Sequence, residues 1–335
     1  MRWEAVLGIS VSVVLVLTIG WQVDFAHLAV ALQSVRVLPL VLAALVFVST
    51  HCVRAWRWSY LLAPLKPMPF TPLVSAIAIG FMANMLLPVH AGEIVRAYLV
   101  GQKARVGTMT TLATIVMEKV ADLISLLTIL LVVFGVGSMP MTVIPITASF
   151  RVTGSIATLL FLLLLSSLWL LKTRTVLMTR VVRNTLAFLP AHWVVRLLAV
   201  LGSFALGLQA LQKGQHIMAI LGVSFALWGL IILGNVLVLH ACGLSFSLPA
   251  TIVIVVVEIF GVALPSAPGF IGTYHATVVA GLMVFGVTYE VALSSALIMH
   301  ASFFFPFILT GFPFLWWESL SLRDLWSVQA QERQP

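Results

Sequence analysis

Three charged residues interrupt an apolar segment that is long enough to cross a bilayer. Glu118, Lys119 and Asp122 lie within Thr111–Val136, and Glu118 and Asp122, four residues apart, share one helix face. A rise of ~1.5 Å per residue places Asp122 roughly 15 Å inside the segment. An ionised acid at that depth is costly unless another group offsets its charge. The spacing fits either a buried structural ion network or a binding or proton-relay site.

A pair of arginines ends the preceding apolar segment. Arg54 and Arg57 are three residues apart and are followed by Trp58, so the two guanidinium groups project from one helix face. Two such groups suit a phosphate oxygen cluster. The alternative is an anchor in which basic and aromatic residues mark the cytoplasmic end of a span.

A third candidate lies in the run Gly92-Glu93-Ile-Val-Arg96. Glu93 and Arg96 share a helix face, and Glu93 falls in the first turn after a break, where the positive helix end favours an acid. The pair is either a local cap or part of a polar cavity that contacts a lipid headgroup or a proton. Glu258 is isolated in an apolar segment and is either protonated within the structure or faces the cavity.

The remaining polar residues exclude several kinds of site. The eight histidines show no HxxxH or HExxH spacing, and no phosphate-binding loop, dinucleotide fingerprint or nucleophile elbow is present. We therefore expect no metal, no cofactor and no catalytic residue, and transport driven by ATP within this chain is not predicted.

Composition shows what kind of chain must position these residues. Of the 335 residues, 61% are hydrophobic and 8% are charged, against roughly 25% charged in soluble proteins. Several apolar runs approach the ~20 residues that cross a bilayer as a helix. The net charge of +8 comes from loops and helix ends rather than from one soluble face, which argues against a nucleic-acid partner.

The apolar runs predict an all-α, polytopic membrane protein with about six full spans and two broken hairpins. The predicted spans are Ala5–Trp21, Leu38–Trp58, Thr111–Val136, Val152–Leu171, His216–Ala241 and Glu290–Trp316. The broken segments are Pro72–Val100, interrupted over Asn84–Glu93, and Pro249–Phe285, interrupted over Pro265–Gly272. Proline and glycine leave backbone polar groups without hydrogen bonds in these interruptions. Such groups are tolerated at membrane depth only when protein surrounds them or when they line a water-filled cavity.

The distribution of Lys and Arg predicts the topology. The Lys172–Arg196 connection has five basic residues and no acid, whereas Gly137–Phe150 has no charge, so the first is expected inside and the second outside. Basic residues on both sides of Pro72–Val100 then require this segment to enter and leave from the cytoplasmic face. Both termini are expected to be cytoplasmic, and the segment 190–212 is left open between a span and a membrane-surface helix.

We therefore expect a single transmembrane domain over residues 1–335. Its first half is 1–136 with the hairpin 72–100, its second half is 152–318 with the hairpin 249–285, and 319–335 is a cytoplasmic tail. The halves have opposite orientation, the layout of an inverted repeat whose broken helices form a midplane binding site in transporters.

The order of three motifs resembles a known family. The run Asn84-x-x-x-Pro88-x-x-x-Gly92-Glu93-x-x-Arg96 is followed by Glu118-Lys119-x-x-Asp122 and then by Leu264-Pro265-x-x-Pro268-Gly269-x-x-Gly272. With the earlier Arg54-x-x-Arg57-Trp58, this pattern resembles the lysylphosphatidylglycerol synthetase transmembrane region, a flippase-like membrane domain, over nearly the whole chain. Two positions depart from it: His90 and Lys119 stand where arginine is usual.

The resemblance implies the lipid-translocating part of that family, because the soluble aminoacyl-transferase domain of bifunctional members is absent from this sequence. The expected function is movement of a phospholipid, glycolipid or isoprenoid-type lipid across a bacterial inner membrane. The alternative is an intramembrane enzyme or an accessory subunit of lipid or glycan modification. The expected partner is a membrane lipid, and a homo-oligomer and a separate lipid-modifying enzyme are left open. The predicted substrate-binding residues are Arg54, Arg57, Asn84, Glu93, Arg96, Glu118, Lys119, Asp122, Glu258, Pro265, Pro268, Gly269 and Gly272.

Overall fold

The structure is a computed structural model, and it describes most of the chain. The described residues are 10–18, 33–87, 91–135, 174–186, 214–264 and 266–325, with isolated positions at 30, 159, 162–163, 166, 190, 194–195 and 198. Several predictions therefore lie wholly or largely outside the described residues. These are most of the span Val152–Leu171, the loop Gly137–Phe150, the segment 190–212, the end of the tail, and Pro88, His90 and Pro265; of the span Ala5–Trp21, residues 10–18 are described and helical.

Every regular element among the described residues is helical, which confirms the all-α prediction. The long elements are α1 (Val37–Leu62), α2 (Phe70–Leu86), α3 (Ala91–Ala104), α4 (Thr108–Gly135), α5 (Thr175–Thr185), α6 (Gly214–Ala241), α7 (Leu248–Ala263), α8 (Thr273–Val284) and α9 (Tyr289–Trp317). A short 3-10 turn, Pro268–Phe270, lies between α7 and α8.

Three described helices are long and apolar enough to cross a membrane: Val37–Leu62, His216–Ala241 and Tyr289–Trp317. They match three of the predicted spans within four residues at either end. The segments Phe70–Leu86, Leu248–Ala263 and Pro268–Val284 are apolar but shorter, as expected for broken hairpins. α4 is equally long but contains the three charged residues discussed above. The chain is therefore a multi-pass helical membrane protein.

The first broken segment folds as two packed helices, α2 and α3. The break is narrower than predicted, because Asn84 lies inside α2 and Glu93 lies in the first turn of α3. A side chain at Gly92 would clash with the carbonyl oxygen of Gly80. The two glycines therefore let the backbones of α2 and α3 approach closely.

The second broken segment also folds as two packed helices, α7 and α8. Ser247 caps the start of α7, where its side chain accepts a hydrogen bond from the amide of Ala250. The connection returns through Gly269 and Gly272, whose φ angles are +70° and +92°. Glycine adopts positive φ angles without the steric penalty that a side chain brings, so these two residues have a backbone role in the turn.

The two breaks lie next to each other. The 3-10 turn packs against α2, and a Cβ atom on Gly269 would lie 3.2 Å from the carbonyl oxygen of Met85. α2 also packs along α9, while α1 packs along α6. The described turn of the second hairpin is thereby packed against helix, a setting in which membrane depth tolerates irregular backbone.

Candidate functional site: a buried ion network

Arg57 is the centre of a charged cluster between α1 and α4. Its side chain is fully buried, and its two terminal nitrogens contact both oxygens of Asp122 at 2.5 and 3.1 Å. Nη2 also lies 2.9 Å from Glu118, and Nη1 donates to Ser224 of α6 at 2.9 Å. A forked, two-point contact of this kind is the strong form of an arginine–carboxylate pair.

Glu118 joins the arginine of α1 to the first hairpin. Its second oxygen accepts a hydrogen bond from Arg96 of α3 at 2.8 Å, and both side chains are almost fully buried. The guanidinium of Arg96 lies 4.5 Å from the ring centre of Trp58, a cation–π contact. The stem of Arg96 crosses α2 at Gly80, where any side chain would clash with it.

Arg54 occupies the edge of the same cluster. Its only ion pair among the described residues is a long one, 3.9 Å to Glu118, and 15% of its side chain is exposed. Its guanidinium lies over the ring of Phe81 at 4.7 Å. His51, one turn earlier, stacks on Phe81 and contacts Phe307 in a tilted arrangement, and both of its ring nitrogens are buried without a hydrogen-bond partner in the described part of the chain.

The cluster has a surplus of positive charge. Among the described residues, Arg54, Arg57 and Arg96 contribute three positive charges and Glu118 and Asp122 two negative ones, which gives the cluster a net charge of +1. Charge of one sign within a low-dielectric region attracts an ion of the other sign strongly. The network is therefore suited to an anion, and Arg54 is the arginine with the weakest internal pairing.

Three more predicted residues lie beside the network. Glu93 of α3 contacts Lys119 of α4 at 3.1 Å, and the lysine is 57% exposed. Their charges cancel, so the pair leaves the net charge unchanged. Asn84 has a structural contact: its side-chain oxygen accepts a hydrogen bond from the amide of Gly92 at 2.7 Å, which satisfies a free donor at the start of α3.

The other predicted residues form a separate group around the second hairpin. Glu258 lies on α7, and Pro268, Gly269 and Gly272 lie in the turn that follows it. In the described part of the chain, none of them forms a hydrogen bond or ion pair with the arginines. The carbonyl of Gly269 is 2.7 Å from Nε2 of His300 on α9, so this turn is tied to the last helix.

Sequence reasoning missed Ser224, His51 and Tyr274. Ser224 is one hydroxyl in the apolar helix α6, with no nearby charge to mark it. His51 precedes Arg54 by three residues, so helical spacing was a signal that it shares the arginine face. Tyr274 directly precedes His275 in the second motif region, but only the tertiary fold shows that it approaches Glu258.

The family model described as the lysylphosphatidylglycerol synthase TM region matches residues 5–311. The chain belongs to this family. No curated protein and no solved structure matches the chain.

Membership in the lysylphosphatidylglycerol synthase TM region family confirms the suspected resemblance and indicates a membrane protein of lipid modification or transport. The structure shows the surroundings of Lys119, one of the two residues that depart from the family pattern. Lys119 is at the exposed edge of the site and contacts Glu93 rather than the buried carboxylates, so its positive charge serves a local pair.

Proposed function

We propose that this protein moves a lipid with an anionic phosphate headgroup across the bacterial inner membrane. The observation that carries the proposal is the buried network with a net charge of +1, in which Arg54 is partly exposed and weakly paired. A phosphate oxygen bound at Arg54 would neutralise the surplus charge. In this proposal the binding partner is a membrane lipid, and both termini of the protein lie in the cytoplasm.

Unsatisfied donors support a ligand at this edge of the network. Among the described residues, Nε of each of the three arginines is buried and has no hydrogen-bond partner, and at the Arg54 edge the same is true of both ring nitrogens of His51. Buried polar groups are normally paired, because an unpaired group loses its hydration without compensation. A phosphate offers several strong acceptor oxygens, and these match donors from an arginine and a neighbouring histidine.

The adjacent breaks support transport rather than anchoring. Irregular backbone at membrane depth is typical of transporter binding sites, where broken helices meet near the midplane. Here the turn at Gly269 packs beside the end of α2 at Met85, and α3, which follows the first break, carries Arg96 into the network. A movement of either hairpin would therefore change the surroundings of the arginines.

The test uses purified protein in vesicles that contain fluorescently labelled phosphatidylglycerol, with reduction of the outer-leaflet label as the readout. We expect Arg54→Ala to slow movement about tenfold or more, the equivalent of losing one charge-assisted hydrogen bond of about 1.5–3 kcal/mol. Arg180→Ala, at an exposed arginine of α5, is the matched control and is expected to keep the wild-type rate. Arg54→Lys is expected to be intermediate.

Two further arms separate the alternatives. A labelled glycosyl diacylglycerol, which has no phosphate, is expected to move slowly and with no response to Arg54→Ala. Thin-layer chromatography of the recovered lipid distinguishes movement from covalent modification. Equal movement by wild type and Arg54→Ala would contradict the proposal, and a new lipid species would favour an intramembrane enzyme.

A further inference from the structure

Glu258 has an unusual setting on α7. Its Oε2 atom is buried and has no hydrogen-bond partner among the described residues, and the same is true of the hydroxyl of Tyr274 on α8. The carboxyl group nevertheless lies within electrostatic range of Tyr274 and of the Asn235 amide on α6. Three polar groups from three helices thus converge on a point that the ion network does not include.

The groups around Glu258 contain no cation among the residues that the structure describes. α6 contributes Asn235, and α8 contributes Tyr274 and, behind it, His275. α9 contributes His300, whose ring lies 5.0 Å from Tyr274 and 4.8 Å from His275. His300 is itself engaged with the carbonyl of Gly269. No lysine or arginine of the described ranges pairs with the Glu258 carboxyl group.

We propose that Glu258 is a proton-binding site whose occupancy is coupled to movement of the second hairpin. A carboxylate without a cation is poorly stabilised in an apolar interior, whereas a neutral carboxylic acid is accommodated there. A hydroxyl such as that of Tyr274 can donate to the ionised form when the two groups approach, and the amide of Asn235 has both a donor and an acceptor and so can pair with either form. Each protonation state therefore favours a different arrangement of α7, α8 and α6.

The proposed step is the transfer of one proton. One proton passes from water at one membrane face to the Glu258 carboxylate, and the same proton leaves to water at the opposite face after the hairpin moves. No bond between heavy atoms forms or breaks, and no electron is transferred. One carboxyl group with its hydroxyl and amide neighbours is sufficient for a proton, whereas Na⁺ requires a larger shell of oxygen ligands.

A continuous row of aromatic contacts connects this site to the ion network. Ring centres are 5.4 Å apart for Tyr274 and Phe303, 6.0 Å for Phe303 and Phe307, and 5.3 Å for Phe307 and Phe81. Phe81 in turn lies 4.7 Å from the guanidinium of Arg54. A shift of one of these rings displaces the next ring, because the protein interior has little free space. This coupling rests on the proposed function of Arg54, but proton binding at Glu258 does not.

Proton binding is tested first by difference infrared spectroscopy of the full chain in vesicles, titrated with pH. We expect a carbonyl band of a protonated carboxylic acid that changes with pH and disappears in Glu258→Gln. Glu290→Gln, at the start of α9, is the matched control and is expected to keep the band. Tyr274→Phe retains the aromatic ring but removes the hydroxyl next to Glu258. We therefore expect the frequency of the Glu258 carbonyl band to shift in this variant. Glu258→Asp is expected to retain a pH-dependent band, and it serves if the glutamine variant does not fold. A band that persists in folded Glu258→Gln would overturn the proposal.

Coupling is tested second, in vesicles with a pH difference across the membrane. We expect the rate of labelled phosphatidylglycerol movement in wild type to depend on the gradient, by up to about tenfold per pH unit for a one-proton step. Glu258→Gln is expected to move lipid at a rate independent of the gradient. An unaltered gradient response in that variant would overturn the coupling. Absence of movement in wild type, with the infrared band present, would instead refute the lipid-transport proposal and leave proton binding supported.

Discussion

Replacing Glu118 by glutamine is the sharpest test of the ion network. The carboxylate is 1% exposed and accepts from Arg57 at 2.9 Å and Arg96 at 2.8 Å. The change removes one negative charge and raises the net charge of the cluster from +1 to +2. A hydrogen bond to a charged group contributes about 1.5–3 kcal/mol, and breaking a buried ion pair costs about 3–5 kcal/mol. Because glutamine keeps weaker hydrogen bonds, we expect a loss of about 3–5 kcal/mol in the free energy of unfolding.

Thermal unfolding in detergent, followed by the fluorescence of the ten tryptophans, provides the assay. With an unfolding entropy of about 2.1 cal/mol/K per residue, the expected loss corresponds to a fall in midpoint of roughly 4–7 °C. Glu290→Gln is the control, with an expected change below about 1 kcal/mol because its acid lies at a helix start. Adding Arg96→Met to Glu118→Gln restores the net charge of +1 and is expected to recover part of the loss. An unchanged midpoint in Glu118→Gln, or strictly additive effects in the double variant, would refute the view that these groups share one network.

Three further outcomes are expected from calorimetry or the same fluorescence assay. Gly92→Ala is expected to cost about 1–3 kcal/mol by overpacking, because its Cβ would clash with backbone in the first hairpin, whereas Gly229→Ala has open space around it and is expected to be neutral. Asn84→Ala is expected to cost about 1 kcal/mol through loss of the cap on α3, and Asn84→Asp to retain it. Burial raises the pKa of Glu318, but hydrogen bonds from Lys103 and Ser75 outweigh this and hold it below its usual 4.5. The contribution of the ionised Glu318 to the free energy of unfolding is therefore present at neutral pH and is lost as pH falls below about 4.5. We expect Glu318→Gln to destabilise the protein by up to about 1 kcal/mol at pH 7 and to have no effect in acid.

Much of the helical architecture was predictable because apolar length and glycine–proline breaks are local properties. The predicted spans over α1, α6 and α9 and both interrupted segments match the helices closely. Proline was a less reliable guide within long helices. α9 continues through Pro306 and Pro313, because neighbouring helices tolerate the lost hydrogen bonds at membrane depth.

The pairing within the site was not predictable from spacing. Helical spacing placed Glu118 and Asp122 on one face and Arg54 and Arg57 on another, and the structure brings these two faces together. It did not show that Arg57 would be fully enclosed while Arg54 stays at the edge. That difference depends on how α1 packs against α4 and α6, and tertiary packing leaves no periodic signal in the sequence. Ser224 illustrates the same limit, since its importance comes only from its position opposite Arg57.

The three arginines lie at unequal distances from Glu118. This difference indicates how an anionic ligand can bind without breaking the contacts that stabilise the helices. A phosphate competes with the carboxylate for guanidinium groups, and its gain must exceed the cost of the contact it replaces. Arg57 and Arg96 hold Glu118 at 2.9 and 2.8 Å within almost fully buried surroundings, whereas Arg54 is 3.9 Å away and partly exposed. Transfer of Arg54 to a phosphate therefore leaves the carboxylate with two close cations. Transfer of either other arginine would remove a short buried contact. The network thus separates two tasks, since Arg57 and Arg96 stabilise the helices and Arg54 remains available for exchange.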